Sequence, residues 1–192
     1  MTKEYKINEG LFVHIIQDDD PHYMADDMIT YALFHPKFSF ENNSGLSTND
    51  FHSWDEMKEK LLKTHKHILP VFMYNHGGII IRTSPFSCSW DSGQIGWVAT
   101  NEEFSDPEQV LKDTIEEYNQ YINGEIYGFN IIHRTLCSGC GEATDVIGDS
   151  LWGFVGDDLI NNGMLDNMDL ISEYEKLLIS AYNEGIFTEI SQ

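Results

Sequence analysis

The chain has 192 residues, of which 41% are apolar and 12% aromatic, with only 5 Pro. This composition suits a folded globular protein and excludes extended disorder and a large multidomain enzyme, and a chain of this length should bury about 70% of its unfolded surface. Against 11 Lys and Arg stand 32 Asp and Glu, a net charge of −21; that is well past the magnitude of about 2 to 8 that keeps a small domain soluble, and it argues against direct binding of nucleic acid.

In chain order, Leu11 to Ile16 is a β-branched apolar run closed by Asp18-Asp19-Asp20-Pro21, which reads as a strand and turn. Met28 to Phe34 is apolar but fits strand and helix alike. Glu41 to Asp50 is a polar loop, after which Ser53 opens a helix with Glu56 as its capping-box partner. Trp54, Met57, Leu61 and His65 line one face of that helix, and Glu56 with Lys60 and Glu59 with Lys63 make i,i+4 pairs on the other. Ile68 to Tyr74 and Gly78 to Thr83 flank Asn75-His76-Gly77 and predict a hairpin, with a further strand over Ile95 to Thr100. A second helix is predicted from the N-cap Asp106 and Pro107 to the stop at Asn123-Gly124, burying Val110, Leu111, Thr114, Ile115, Tyr118 and Ile122. Strands follow at Glu125 to His133 and Ser150 to Val155. A last helix is expected from about Asn167 to Glu184, with Leu170, Ile171, Tyr174, Leu177, Leu178 and Ala181 inward.

These elements predict a single α+β domain over residues 1–192: an antiparallel meander of about five to seven strands, covered on one face by two to three helices. No internal repeat is visible. The N-terminus MTKEYKINEG lacks the apolar stretch of a signal peptide, and no apolar run is long enough to span a membrane. Three cysteines are too few for a disulfide scaffold, which fits a reducing compartment, and the expectation is a cytoplasmic protein.

The charge is uneven. Residues 1–96 carry 13 acids against 8 bases, and residues 97–192 carry 19 against 3. A basic partner would be attracted to that second half, although acidity fits a merely very soluble protein as well.

The blocks SPFSCSWDSGQIG from Ser84, Tyr118-Asn-Gln-Tyr121, Gly124-Glu-Ile-Tyr-Gly128 and Asp149-Ser-Leu-Trp-Gly-Phe154, with IIQDDDP at Ile15 to Pro21, span most of the chain. Together they resemble a family of uncharacterised proteins of bacteriophages, plasmids and bacterial genomes. The family has no assigned activity, so the resemblance implies a phage or mobile-element setting, hence host-cell cytoplasm, and little chemistry. Two departures stand out: Ser89 replaces the family's usual Pro, and Arg134 to Gly148, with its Cys pair, looks inserted.

Four groups of residues carry candidate chemistry. The loop Ser84 to Gln94 holds Phe86, Cys88, Trp90 and Asp91. Cys88 as nucleophile, His76 as base and Asp91 as orienter have the residue types for acyl transfer by a small hydrolase. In the blander reading, Phe86 and Trp90 plug the sheet edge while Asp91 and Ser92 satisfy backbone donors, which leaves a recognition loop as the third reading. Cys137-Ser-Gly-Cys140-Gly141 has the spacing of half a zinc knuckle, and Cys88, His133 or His76 would have to complete the tetrahedron of a zinc-stabilised module. Two free thiols in a surface turn are the alternative. Asp18, Asp19, Asp20, His22, Asp26 and Asp27 offer oxygen ligands for Mg²⁺ or Ca²⁺ without the spacing of a known loop, so a solvated turn is favoured. On the second helix Asp113, Glu116 and Glu117 project opposite the apolar stripe, where carboxylates can imitate a phosphate array or simply face water. No Gly-rich phosphate loop, dinucleotide fingerprint or HExxH occurs. The preferred expectation is an acidic interaction protein, an anti-defence inhibitor that mimics nucleic acid and binds a basic host protein, rather than an enzyme; no cofactor is expected unless zinc is held. The sequence is silent on oligomeric state.

Overall fold

The structure is a computed structural model that describes residues 2–23 and 25–190. Among them are three α-helices, one 3₁₀ turn and nine strands in two antiparallel sheets, an α+β fold. The chain divides into two compact units, Met1–His22 with Gly124–Gln192, and Tyr23–Asn123.

The second unit is built on β3 (Ile29–Leu33), β4 (His67–Asn75), β5 (Ile79–Arg82) and β6 (Ser92–Thr100), in the order β3-β6-β4-β5. Strand alternation sends Tyr31, Leu33, Val71, Met73, Ile81 and Val98 to one face, where Leu111, Ile115 and Tyr118 of α2 (Pro107–Ile122) cover them. Ala32 and Trp97 face the other way, onto Met57 and Leu61 of α1 (Trp54–Leu61). This sheet is therefore covered on both faces, not one, because α1 and α2 each present an apolar stripe and both stripes find the same sheet. The ambiguous run after Met28 is resolved as strand by its pairing with β6. Both helices start as their sequences require. Ser53 accepts a hydrogen bond from the Glu56 backbone at 3.2 Å and Asp106 one from Gln109 at 3.0 Å, caps worth about 1 kcal/mol each. Glu56 closes its box one residue further out, on the His52 N–H at 2.8 Å.

The first unit holds the five-stranded sheet β8-β7-β2-β1-β9, from β1 (Thr2–Lys6), β2 (Leu11–Gln17), β7 (Ile126–Leu136), β8 (Ala143–Val155) and β9 (Thr188–Ile190). Tyr5, Val13, Ile15, Phe129 and Ile131 form its core with Leu159, Met164 and Leu178, the last from α3 (Ser172–Glu184). The last helix is shorter than its pattern predicts. A 3₁₀ turn occupies Leu165–Asn167, Met168 is extended, and Ile171 stands exposed as the N-cap, so only Leu178 of the helix is fully buried and Leu177 faces out.

The segment from Arg134 to Gly148 does not loop away from the sheet. It prolongs β7 and β8 into a long ribbon, paired from Ile126↔Val155 to Leu136↔Ala143 and interrupted by two bulges. Leu136, Val146, Ile147, Leu151 and Trp152 are exposed along it. Bulges and the edge carboxylates Asp145 and Asp149 are devices that discourage a further strand from adding to an edge.

Candidate functional site

Among the described residues no helix is long and apolar enough to cross a membrane, and no three His, Cys, Asp or Glu are grouped to hold a metal ion. The sites worth building are the loop before β6, the exposed face of α2 and the tip of the ribbon.

The loop is pinned from within. Arg82 donates to the carbonyls of Ser84 at 3.0 Å and Pro85 at 2.6 Å, and its guanidinium lies 3.9 Å from the ring centroid of Phe86. Phe86 also stacks on Tyr74 of β4 at 5.4 Å. The Asn75 N–H donates to Asp91 O at 2.8 Å, which joins the end of β4 to the start of β6, and the Ser92 hydroxyl donates to the Cys88 carbonyl. Phe86 packs as expected. Trp90 does not: its side chain is 94% exposed, and Ser92 serves a backbone acceptor rather than a donor. The reason is that Phe86 already has Tyr74 and Arg82 as its packing partners, and Trp90 falls in the bend that precedes β6, where its indole projects into solvent.

His76, Asp91 and Cys88 do meet, but in the wrong order for a thiol nucleophile. One oxygen of Asp91 receives both His76 Nδ1, at 3.2 Å, and the Cys88 thiol, at 4.0 Å. Catalysis needs the imidazole between thiol and carboxylate, so that it can take the thiol proton. Here the carboxylate sits between them, and among the described residues no hydrogen bond joins His76 to Cys88.

A cleft of about 420 Å³ opens beside this loop, walled by Met73 of β4, by Trp90 to Ile95 and by His35 to Phe38 after β3. His35 stacks on Phe38 at 4.9 Å and accepts the Lys37 N–H through Nδ1 at 3.2 Å. Burial, then the nearby Lys37 charge, hold its imidazole below the ordinary histidine value. This second wall was missed in the sequence; its signal is His-Pro-Lys-Phe directly after a strand, a rigid aromatic turn that nothing marked as facing the loop.

On α2, Asp113, Glu116 and Glu117 are exposed opposite Leu111, Ile115 and Tyr118. Asp113 accepts from Gln109 Nε2 at 2.7 Å, and the helix's one cation, Lys112, is engaged by Glu108 at 2.7 Å. Loss of surrounding water, then the charge of Asp26, raise the Glu117 carboxyl above its ordinary value.

At the ribbon tip Cys137 and Cys140 are both exposed free thiols. Hydrogen bonds from the backbone of Cys140 and Gly139, then from the Cys140 thiol, bring Cys137 down to about 7. His133 is not beside them: its ring lies over Gly148, where an added Cβ would sit 2.7 Å from it, well back along the ribbon from the turn. Asp18 and Asp20 belong to a turn, with the Asp20 N–H on Asp18 Oδ1 at 3.0 Å and His22 Nδ1 donating to the Asp20 carbonyl at 3.1 Å.

A polar network unmarked in the sequence lies on β1, β2 and the ribbon. Glu4 accepts from Arg134 at 2.8 Å and pairs with His14 at 2.9 Å, and Arg134 also grips Asp145 at 2.7 Å. The Glu4 side chain is 11% exposed. Burial alone would raise its carboxyl, but the hydrogen bonds from Arg134 and His14 outweigh that and hold it low. The chain matches no family model, no curated protein and no solved structure.

Proposed function

We propose that the chain is an acidic interaction protein of phage or mobile-element origin that acts in host cytoplasm by occupying the basic groove of a nucleic-acid-binding or defence protein. The observation that carries the reading is the exposed, uncompensated acidic face of α2. Asp113, Glu116 and Glu117 place three carboxylates within about 6 Å of helix axis, close to the one charge per about 1.7 Å that duplex DNA presents. The only cation on that helix is taken by Glu108. The exposed Trp90 beside Asp91 supplies the kind of aromatic anchor that dominates interface energies.

The test is capture of a partner from host extract at about 0.1 M and about 1 M salt, where the screening length falls from about 10 Å to about 3 Å. A basic protein should be retained at the lower salt only. The triple variant Asp113→Asn, Glu116→Gln, Glu117→Gln should lose it while keeping its unfolding midpoint. Retention that ignores both salt and variant contradicts the reading.

A further inference from the structure

The tip of the β7–β8 ribbon is built as one edge of a metal site. Its turn, Cys137-Ser138-Gly139-Cys140-Gly141, is closed by the Cys137 N–H on the Glu142 carbonyl and the Gly141 N–H on the Cys137 carbonyl, both at 2.8 Å. Gly141 at φ 74° supplies the left-handed residue that lets the chain turn directly after the second cysteine. The turn folds back over the Cys137 sulfur, which a Cβ built at Gly139 would meet at 3.9 Å. Sulfur in such a cradle keeps its outward lone pairs for a soft cation, and two cysteines three apart on a tight turn span one edge of a zinc tetrahedron.

One chain supplies only that edge. Among the described residues no third His, Cys, Asp or Glu joins the pair, His133 is drawn over Gly148, and Glu142 comes no nearer the Cys140 sulfur than 4.0 Å. Structural zinc is almost always four-coordinate. The strand ends around the turn, Leu136 with Ala143 to Val146, are exposed on both sides of the ribbon, so a second tip can reach the first.

We propose that the Cys137-Cys140 turn is a zinc half-site completed by the same turn of a second copy, so that four thiolates from two chains hold one Zn²⁺. Two identical edges related by a two-fold axis make a complete tetrahedron with no other ligand type. Each thiol releases its proton to solvent as its sulfur bonds the metal. Because each chain carries −21, bringing two together costs charge repulsion, and salt screens that cost. This association therefore strengthens with salt, whereas binding to a basic partner weakens, and the two proposals fail independently.

The test titrates metal-free, untagged protein with Zn²⁺ alone and reads bound metal and molecular mass together. The expected result is one zinc per two chains with a doubling of mass, tighter at higher salt. Co²⁺ in its place should give the intense visible bands of tetrahedral thiolate coordination. Cys137→Ser, a substitution at an exposed turn, should abolish metal uptake and dimer while leaving the circular dichroism unchanged, and Cys88→Ser should keep both. One zinc per chain without a change in mass, no uptake at all, or a dimer that persists in Cys137→Ser or without zinc overturns the proposal.

Discussion

The β4–β5 hairpin and the β7–β8 ribbon are both antiparallel pairs closed by Gly-containing turns, yet one is packed and the other is bare. Over β5 lies α2, whose Asn119 accepts the outward Ile81 N–H at 2.8 Å, so even the edge of that sheet is capped. Among the described residues no helix comparably covers the outer part of β8, and Val146 and Ile147 are exposed there. The difference extends to the thiols. Cys88, beside the packed hairpin, shares a carboxylate with His76, whereas Cys137, at the bare tip, is ringed by backbone N–H groups. Exposed N–H donors beside a sulfur ready it for a metal or an electrophile.

The widest gap between the two hairpins should appear when the same residue type is truncated in each. Ile81→Ala removes a fully buried side chain of β5 and should cost about 3 kcal/mol. Ile147→Ala on the ribbon, 59% exposed, should cost less than about 0.5 kcal/mol. Equal shifts in denaturant midpoint would mean that the ribbon is covered in solution.

The side chain of Arg134 on the ribbon is held by Glu4 and Asp145, and Glu4→Gln should cost about 2 kcal/mol as a charged hydrogen bond is lost. Hydrogen bonding to Arg134 holds Asp145 below the usual carboxylate range, and Glu4 is lowered as well. In acid the native state thus binds fewer protons than the unfolded chain, whose Glu and Asp titrate at about 4.3 and 3.9. The stabilisation is complete above those values and is lost as pH falls through the lowered ones. Unfolding midpoints from neutral to acid pH should therefore show a limb that flattens in Glu4→Gln.

Alkylation measures the thiols directly. At neutral pH, in protein stripped of metal, Cys137 at about 7 should react about threefold faster than an ordinary thiol near 8.5, its larger thiolate fraction outweighing its lower nucleophilicity. Cys88 should label slowly until the chain unfolds, and rapid labelling of folded Cys88 would revive the nucleophile. Smallest of all should be the effect of Trp90→Ala on stability, within about 0.5 kcal/mol, because the indole is 94% exposed; any loss it causes should appear in partner binding.

Local chemistry was legible in the sequence wherever a short-range rule decides the outcome. Ser53 and Asp106 cap their helices, Asn75-His76-Gly77 turns a hairpin, and Leu111, Ile115 and Tyr118 are buried as their spacing requires. What failed depends on contacts distant in sequence. β1 and β9 are short, and Thr2–Lys6 is too charged to read as a strand; pairing with Leu11–Gln17 makes it one. The segment after Arg134 was set apart only as a departure from the resembled family, and its pairing, which runs past two bulges to Leu136↔Ala143, depends on a partner strand distant in sequence. The sequence offered His76, Cys88 and Asp91 as residue types without showing that they meet, since both their meeting and which group stands in the middle are set by side-chain direction at the β4 and β6 ends. Trp90 shows the same limit: a large aromatic in a loop favours burial on composition, and only the positions of Phe86 and Asp91 reveal that it points outward.

The acidic-mimic reading is tested most directly by competition. With the captured basic partner in hand, duplex DNA labelled with a fluorophore is bound to it and the chain is titrated in. The account predicts full displacement of the DNA at physiological salt, a displacement weakened at least tenfold in the Asp113→Asn, Glu116→Gln, Glu117→Gln variant. A ternary complex in which partner, DNA and chain coexist would contradict it.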